Sequence, residues 1–221
     1  MTRSSKPRPP NPLGTALVTG ASSGIGEALA HRFAAAGFDL VVVARSQLKL
    51  EVLAKQLAAQ HGVALRVVLS DLAQPGAVNT IHHQLSRQKC AVTALVNCAG
   101  VLEQGLFTSI GAPSHQQIID LNISALTAMV HAFLPDMVAR GHGRVLNVAS
   151  VAAFQPVPSL ASYAASKAYV LSLSESLAEE LRGTGVSVTT LCPGITATAM
   201  LTQAAGANGK LGQLPGFLVG D

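Results

Sequence analysis

Short runs of β-branched and aliphatic residues alternate with longer helix-forming stretches along most of this chain, and that alternation leaves few architectures open. The apolar runs fall at 15–19, 38–44, 63–69, 92–97, 144–149 and 186–192. The helix-forming stretches fall at 24–36, 46–60, 74–88, 114–139 and 162–182. Strands that alternate with such helices line up parallel, with helices on both faces of the sheet. A sheet buried on both faces needs strands that read as continuous apolar runs. The composition agrees, with 49% of residues hydrophobic and only 12% charged. At 221 residues, with no internal repeat or second compositional block, the chain is expected to form one α/β domain, residues 13–221.

The first apolar run ends in a glycine-rich turn, Thr19-Gly20-Ala21-Ser22-Ser23-Gly24-Ile25-Gly26, and a helix-forming stretch begins inside it. Glycines let the chain turn tightly and let a pyrophosphate approach the backbone amides. The helix N-terminus adds free N–H groups and a partial positive charge. A glycine loop alone can be purely structural; its place between a strand and a helix makes it a dinucleotide cradle. Ile25, Leu29 and Phe33 are expected to form the buried stripe of that helix.

Downstream stand Asn122, Ser150, Tyr163 and Lys167. Tyr163 and Lys167 are four apart, which puts both on one face of a helix. Tyr163 is the candidate general acid/base. Its ordinary pKa, about 10, is too high for work near neutrality. The Lys167 ammonium, with the positive nicotinamide of an oxidised cofactor, is expected to favour the phenolate. Ser150 ends an apolar run, where it can donate a hydrogen bond to a substrate oxygen. Asn122 falls inside a helix-forming stretch, although asparagine is a poor helix former. Singly these are a half-buried tyrosine, a solvated lysine, a strand-end hydroxyl and a surface amide. Jointly, behind a nucleotide turn, they describe a site that binds a dinucleotide and moves a proton beside it.

The end of the second apolar run bears on the choice of cofactor. A site for NAD carries an acidic residue there, to accept from the ribose 2′-hydroxyl. Here Leu40-Val41-Val42-Val43-Ala44 runs into Arg45 and Ser46, and Asp39 stands at the opposite end of the run. An arginine at that tip grips a 2′-phosphate through charge-assisted bonds, so NADP(H) is expected over NAD(H).

The net charge of +4 does not describe a basic face, because Arg3, Lys6 and Arg8 account for three of those charges and leave about +1 elsewhere. No nucleic-acid partner is expected. Residues 1–12 are Pro-rich, basic and polar, and read as a disordered tail rather than a signal peptide. No apolar stretch is expected to approach the ~18 residues of a membrane span. Cys90, Cys98 and Cys192 lie in apolar surroundings without ligand spacing and read as buried reduced thiols, which suits the cytoplasm. The seven histidines show no metal spacing, and the neighbours His82 and His83 point to different sides of a helix. No metal is expected.

These stretches together resemble the short-chain dehydrogenase/reductase family, in its compact single-domain branch. The resemblance rests on Thr19-Gly20-x-x-x-Gly24-x-Gly26, Asp71-Leu72, Asn97-Cys98-Ala99-Gly100, Asn122, Ser150, Tyr163-x-x-x-Lys167 and Pro193-Gly194-x-x-x-Thr198. They occur in family order over residues 14–198. One departure is Cys98, where the family more often has asparagine. The resemblance implies a Rossmann-type doubly wound parallel sheet of strand order 3-2-1-4-5-6, and a catalytic set of Asn122, Ser150, Tyr163 and Lys167. It implies that Lys167 also holds the nicotinamide ribose, and that Asn122 distorts its helix and holds a water leading from Lys167 to solvent. Asp71 is implied to approach the adenine amino group, with Leu72 beside the ring. Further cofactor contacts are implied for Gly20, Ser22, Ser23, Gly24, Ile25, Gly26, Asn97, Ala99, Gly100, Pro193, Gly194, Ile195 and Thr198.

The function so implied is an NADP(H)-dependent oxidoreductase that interconverts a ketone or aldehyde and an alcohol. Val101, Leu102, Val151 to Phe154, Leu160 and a flap from Thr196 are the expected substrate walls, and their apolar character favours a lipophilic carbonyl. A non-catalytic NADP(H)-binding scaffold or sensor is the alternative. A sugar-nucleotide epimerase or dehydratase is a weaker one, since that branch spaces its turn Gly-x-x-Gly-x-x-Gly and needs a further C-terminal domain. Relatives continue past the flap with a helix and a seventh strand. The 27 residues after Gly194 are glycine- and proline-rich, with room for a short helix near 198–205 and four strand residues at 217–220. The expectation is a shortened or fragmentary form without a seventh strand, which leaves run 186–192 as an uncovered edge. A homodimer through helices 114–139 and 162–182 remains possible in this reading.

Overall fold

The computed structural model describes residues 11–194. Six strands lie in one parallel sheet: β1 (Thr15–Thr19), β2 (Asp39–Ala44), β3 (Leu65–Leu69), β4 (Val92–Asn97), β5 (Gly143–Val148) and β6 (Val186–Leu191). Their order is β3-β2-β1-β4-β5-β6, the expected one. The helices are α1 (Gly24–Ala35), α2 (Gln47–His61), α3 (Ala77–Arg87), α4 (Ala112–Ile118), α5 (Leu126–Arg140) and α6 (Ala161–Glu180).

Successive strand residues face opposite sides of the sheet, and each side has its own core. Leu17, Val41, Val43 and Leu95 pack with Ile81 and Leu85 of α3 and with Met129, Phe133 and Met137 of α5. Ala16, Val18, Leu40 and Val42 pack with Ala30 and Ala34 of α1 and with Leu50, Leu53 and Leu57 of α2. The all-buried patterns of β1 and the middle of β2 follow from this double cover.

The register brings the carboxyl ends of the strands level, with Thr19 opposite Val43 and Asn97 opposite Asn147. The strand order reverses between β1 and β4. Ligands of open α/β sheets bind in the crevice at such a switch point.

Three local expectations are corrected. The buried face of α1 is Gly26, Ala30 and Ala34, not Ile25, Leu29 and Phe33. Small side chains bring that helix close to the sheet, and Leu29 and Phe33 flank the contact, only partly buried. The stretch expected as one helix at 114–139 is divided: α4 and α5 are joined by a π-helical segment, Ile119–Ala125. Taken as one run, Ala112–Arg140 is also long and apolar enough to cross a membrane by length and composition, against expectation. Its apolar residues Leu126, Met129, Val130, Phe133 and Met137 are instead buried against the sheet. Expectations for residues 1–10, for Ile195 and Thr198, for the flap from 196, for a helix near 198–205 and for a strand at 217–220 lie outside the described residues.

Candidate active site

The glycine turn leaves β1 with Gly20 at φ +67°, a region that glycine tolerates and side chains strain to adopt. A Cβ there would also lie 2.9 Å from the backbone of Ala99. At Gly26 a Cβ would come 2.3 Å from the Gly20 carbonyl oxygen, so only glycine lets α1 start against the turn. Ser23 precedes that helix in extended backbone and makes no side-chain cap, which leaves the first amides of α1 free to face a phosphate. The residues therefore fit a dinucleotide pyrophosphate. Ser22 and Ile25 stand half-buried beside them.

Thr19 welds this turn to the loop after β4. Its hydroxyl donates to the Val96 carbonyl (3.2 Å) and accepts from the amides of Cys98 (3.0 Å) and Ala99 (3.1 Å). Thr19 reads from the sequence as the first residue of the turn, with no sign of its side chain's role across the sheet. Asn97 ends β4 just before this loop. It is buried, and its amide donates to Asn147 Oδ1 (2.9 Å), whose own amide donates to Ser174 Oγ (2.9 Å). The Asn97 oxygen has no partner among the described residues.

The four catalytic candidates converge at the carboxyl end of β5. Ser150 follows β5, its hydroxyl accepts from the Ala152 amide (3.1 Å), and its side chain acts on the Tyr163 phenol, favouring the ionised form. Tyr163 and Lys167 share one face of α6, with Lys167 Nζ 5.6 Å from the centre of the phenol ring. Lys167 is buried, and Nζ donates to the Val148 carbonyl (2.8 Å). Asn122 lies in the π-helical segment and grips the peptide of Val101. Its Oδ1 accepts from the Val101 amide (2.9 Å), and its Nδ2 donates to the Val101 carbonyl (2.9 Å) and to Ser166 Oγ (3.1 Å). Ser166 in turn donates to the Tyr163 carbonyl (2.7 Å). This buried serine was also missed, having no partner visible in sequence. Gly100 closes the group: a Cβ there would lie 3.2 Å from Asn122 Oδ1 and 3.7 Å from Lys167 Nζ.

The electrostatics of the pair run against expectation. Burial raises the Tyr163 pKa above its ordinary 10, the Ser150 side chain partly lowers it, and Cys98 raises it further. Burial thus outweighs any effect of Lys167 on the phenol. The ammonium is 5.6 Å from the ring centre and already bonded to Val148. Burial itself lowers the Lys167 pKa from 10.5 to about 8, against smaller upward effects from Cys98 and Cys192. On the protein's own groups Tyr163 is a protonated phenol at neutral pH, suited to give a proton. The Cys98 thiol is pushed by burial from 9.0 up to about 11, with Lys167 pulling it down, so it is no thiolate near neutrality.

The remaining candidates ring the same sheet edge. Arg45 is exposed just past β2, whose Val43 carbonyl accepts from the Ala21 amide of the turn (3.4 Å). Asp39 is at the far end of that strand, where its carboxylate accepts from the Ala64 amide (2.9 Å). Asp71 follows β3 with one oxygen accepting from the Ala73 amide (3.2 Å), and Leu72 beside it is buried. The Pro193 carbonyl accepts from the Val151 amide (3.0 Å), which sets Pro193 and Gly194 beside Ser150. Among the described residues no three His, Cys, Asp or Glu side chains are placed to hold a metal ion.

Residues 14–208 match the short chain dehydrogenase family. The chain belongs to that family. A solved short-chain dehydrogenase from Sphingobium yanoikuyae, in complex with NADPH, is 37% identical and superposes with a TM-score of 0.85 over 91% of this chain and 77% of its own. A sulfoacetaldehyde reductase from Chromohalobacter salexigens is 36% identical over 194 residues, covering 87% of this chain and 76% of the reductase. An inactive hydroxysteroid dehydrogenase-like protein of Homo sapiens is 34% identical over 187 residues, covering 84% of this chain. This short-chain dehydrogenase spans 56% to 59% of the length of three curated relatives it matches.

Proposed function

We propose that this short-chain dehydrogenase is an NADP(H)-dependent oxidoreductase that interconverts a ketone or aldehyde and an alcohol, with Tyr163 as the acid/base. The observation that carries the reading is the pairing of Tyr163 and Lys167 on one face of α6, with Nζ 5.6 Å from the centre of the phenol ring, at the carboxyl end of the sheet that also bears the glycine cradle. The cofactor would supply the hydride. Gly20, Ser22, Ser23, Gly24, Ile25 and Gly26 would hold its pyrophosphate, and Arg45 its 2′-phosphate. Asp71 and Leu72 would hold the adenine. Ala99, Gly100, Lys167, Pro193 and Gly194 would seat the nicotinamide end. Asn97 would act through the strand that carries this loop, and Ile195 and Thr198 complete the proposed set.

Tyr163 would give its phenolic proton to the carbonyl oxygen in reduction and take it back in oxidation. Ser150 would donate a hydrogen bond to the same oxygen as negative charge develops there. Lys167 would hold the ribose and stabilise the phenolate left behind. The NADPH complex of the Sphingobium yanoikuyae relative supports the choice of cofactor. Leu102, partly exposed after β4, and Val151 and Phe154, exposed just after Ser150, support a lipophilic substrate. The relative named inactive supports a second reading, a non-catalytic NADP(H)-binding scaffold. Against it stand all four catalytic residue types in this chain. Self-association through α5 and α6, joined here by a Thr127–Tyr169 hydrogen bond of 3.0 Å, belongs to the same proposal.

The deciding experiment follows NADPH absorbance with a panel of carbonyl compounds. Turnover with any member is the expected result. Tight NADPH binding with no turnover across the panel would favour the scaffold.

A further inference from the structure

We propose that His115 is a positioning residue that latches the loop after β4, residues 101–110, to the start of the helix that carries Tyr163. His115 lies on α4, half-buried, with its ring nitrogens engaged on both sides. Nδ1 is 2.8 Å from Ser162 Oγ, and Nε2 is 3.1 Å from the Phe107 carbonyl oxygen. A carbonyl only accepts, so Nε2 carries the hydrogen, and Nδ1 of the neutral ring accepts from the Ser162 hydroxyl. The same ring stacks on Phe107 at 4.3 Å between centres and 27° between planes.

The loop has little else to hold it. Leu106 is 69% and Phe107 62% exposed, so neither anchors the loop in the core. One further bond crosses to the α6 side, from the Gly105 amide to the Ser159 carbonyl (3.0 Å). Ser159 itself sits at φ +66° without being glycine, a strained conformation that its surroundings must impose. Ser162 directly precedes Tyr163, and Asn122 grips Val101 at the near end of the loop. The loop is thus clamped at Val101 by Asn122 and at Phe107 by His115, and the second clamp closes on the turn that carries the phenol. His115 thereby sets the distance between the loop wall and the Tyr163 hydroxyl. The latch stands on geometry alone; its effect on turnover rests on Tyr163 being the proton donor.

Hydrogen exchange on the full chain tests the latch, with NADPH-dependent reduction of 4-nitrobenzaldehyde as the kinetic probe. In His115→Ala the amides of Gly105, Ser109 and Ile110 should exchange about tenfold faster, as expected for two lost hydrogen bonds. Amides of β1 and α2 should stay unchanged. The KM for 4-nitrobenzaldehyde should rise by a similar factor while the KM for NADPH holds. His115→Gln keeps a donor for the Phe107 carbonyl and loses the Nδ1 partner. It should restore loop protection while the Ala164 amide, in the first turn of α6, still exchanges faster than in the wild type. Wild-type exchange at 105–110 in His115→Ala overturns the latch. Should that variant not fold, wild-type exchange at Ala164 in His115→Gln overturns it. A loosened loop with unchanged KM overturns the positioning role. A wild-type chain that leaves NADPH unoxidised counts against the oxidoreductase reading instead, and the exchange data still decide the latch.

Discussion

Tyr163 and Lys167 stand one helical turn apart, and burial drives both toward their neutral forms. A phenol held protonated is the form that donates a proton to a carbonyl oxygen in the proposed reduction. Tyr163→Phe removes the transferable proton and little else. Turnover of any accepted carbonyl should fall to background while NADPH binding, read by fluorescence, stays within about twofold, since the neutral hydroxyl adds only a modest net hydrogen bond. Substantial residual turnover would dismiss Tyr163 as the donor. Arg45 is the corresponding test of cofactor choice. Its exposed position past β2 leaves it free to swing onto a 2′-phosphate. Arg45→Asp should move the NADPH-to-NADH preference toward NADH by about ten- to a hundred-fold, the worth of one charged hydrogen bond. Equal affinity of the wild type for the two nucleotides would refute that assignment.

At the scale of elements, the π-helical segment Ile119–Ala125 is the feature with the clearest consequence. It turns Asn122 inward, where its amide satisfies both backbone groups of Val101. Asn122→Ala strands those part-buried groups, each costing up to about 1–3 kcal/mol. Urea unfolding should show that loss, and amide exchange should rise at Val101 first. The strands and helices themselves were legible from β-branched runs and glycine turns, because both signals are local in the chain. The extra residue of the π turn was not legible in the local pattern, and only the family resemblance implied a distorted helix at Asn122, because the Val101 and Ser166 groups that hold it lie across the crevice. For the same reason Asn122 could be named as a candidate while its partners Val101 and Ser166 could not. The small stripe Gly26-Ala30-Ala34 was misread because sequence patterns reward large apolar residues, whereas close helix–sheet packing rewards small ones. The phenol was expected to be acidified by its lysine; burial of both groups, which a sequence does not display, reversed the sign.

Over the whole molecule, these buried groups shape stability against pH. Lys167 has a folded pKa of about 8 against an ordinary 10.5, so between those values the unfolded chain binds more protons and stability rises with pH. Cys98, at about 11 against 9.0, does the reverse between 9.0 and 11. The raised Tyr163 adds to the fall above 10. Their combined contribution to the urea midpoint should therefore climb from pH 8 to 9 and flatten above it. Cys98→Ala should let the climb continue toward pH 10. A midpoint indifferent to pH from 8 to 9 in both proteins would show that Lys167 is not held as described. The strand order has a different consequence, one of timing. β1 is paired on one side by β2, its neighbour in sequence, but on the other by β4, and Thr19 reaches across 77 residues to bond Val96. A ribosome making about 5–20 residues per second takes roughly 4–15 s to cover that interval. Until then the nascent chain carries β1, a strand made to lie in the middle of a sheet, with one side bare. That edge can be captured by any other extended chain within reach. The early part of synthesis, before Asn97 has emerged, is accordingly when β1 lies open to such capture.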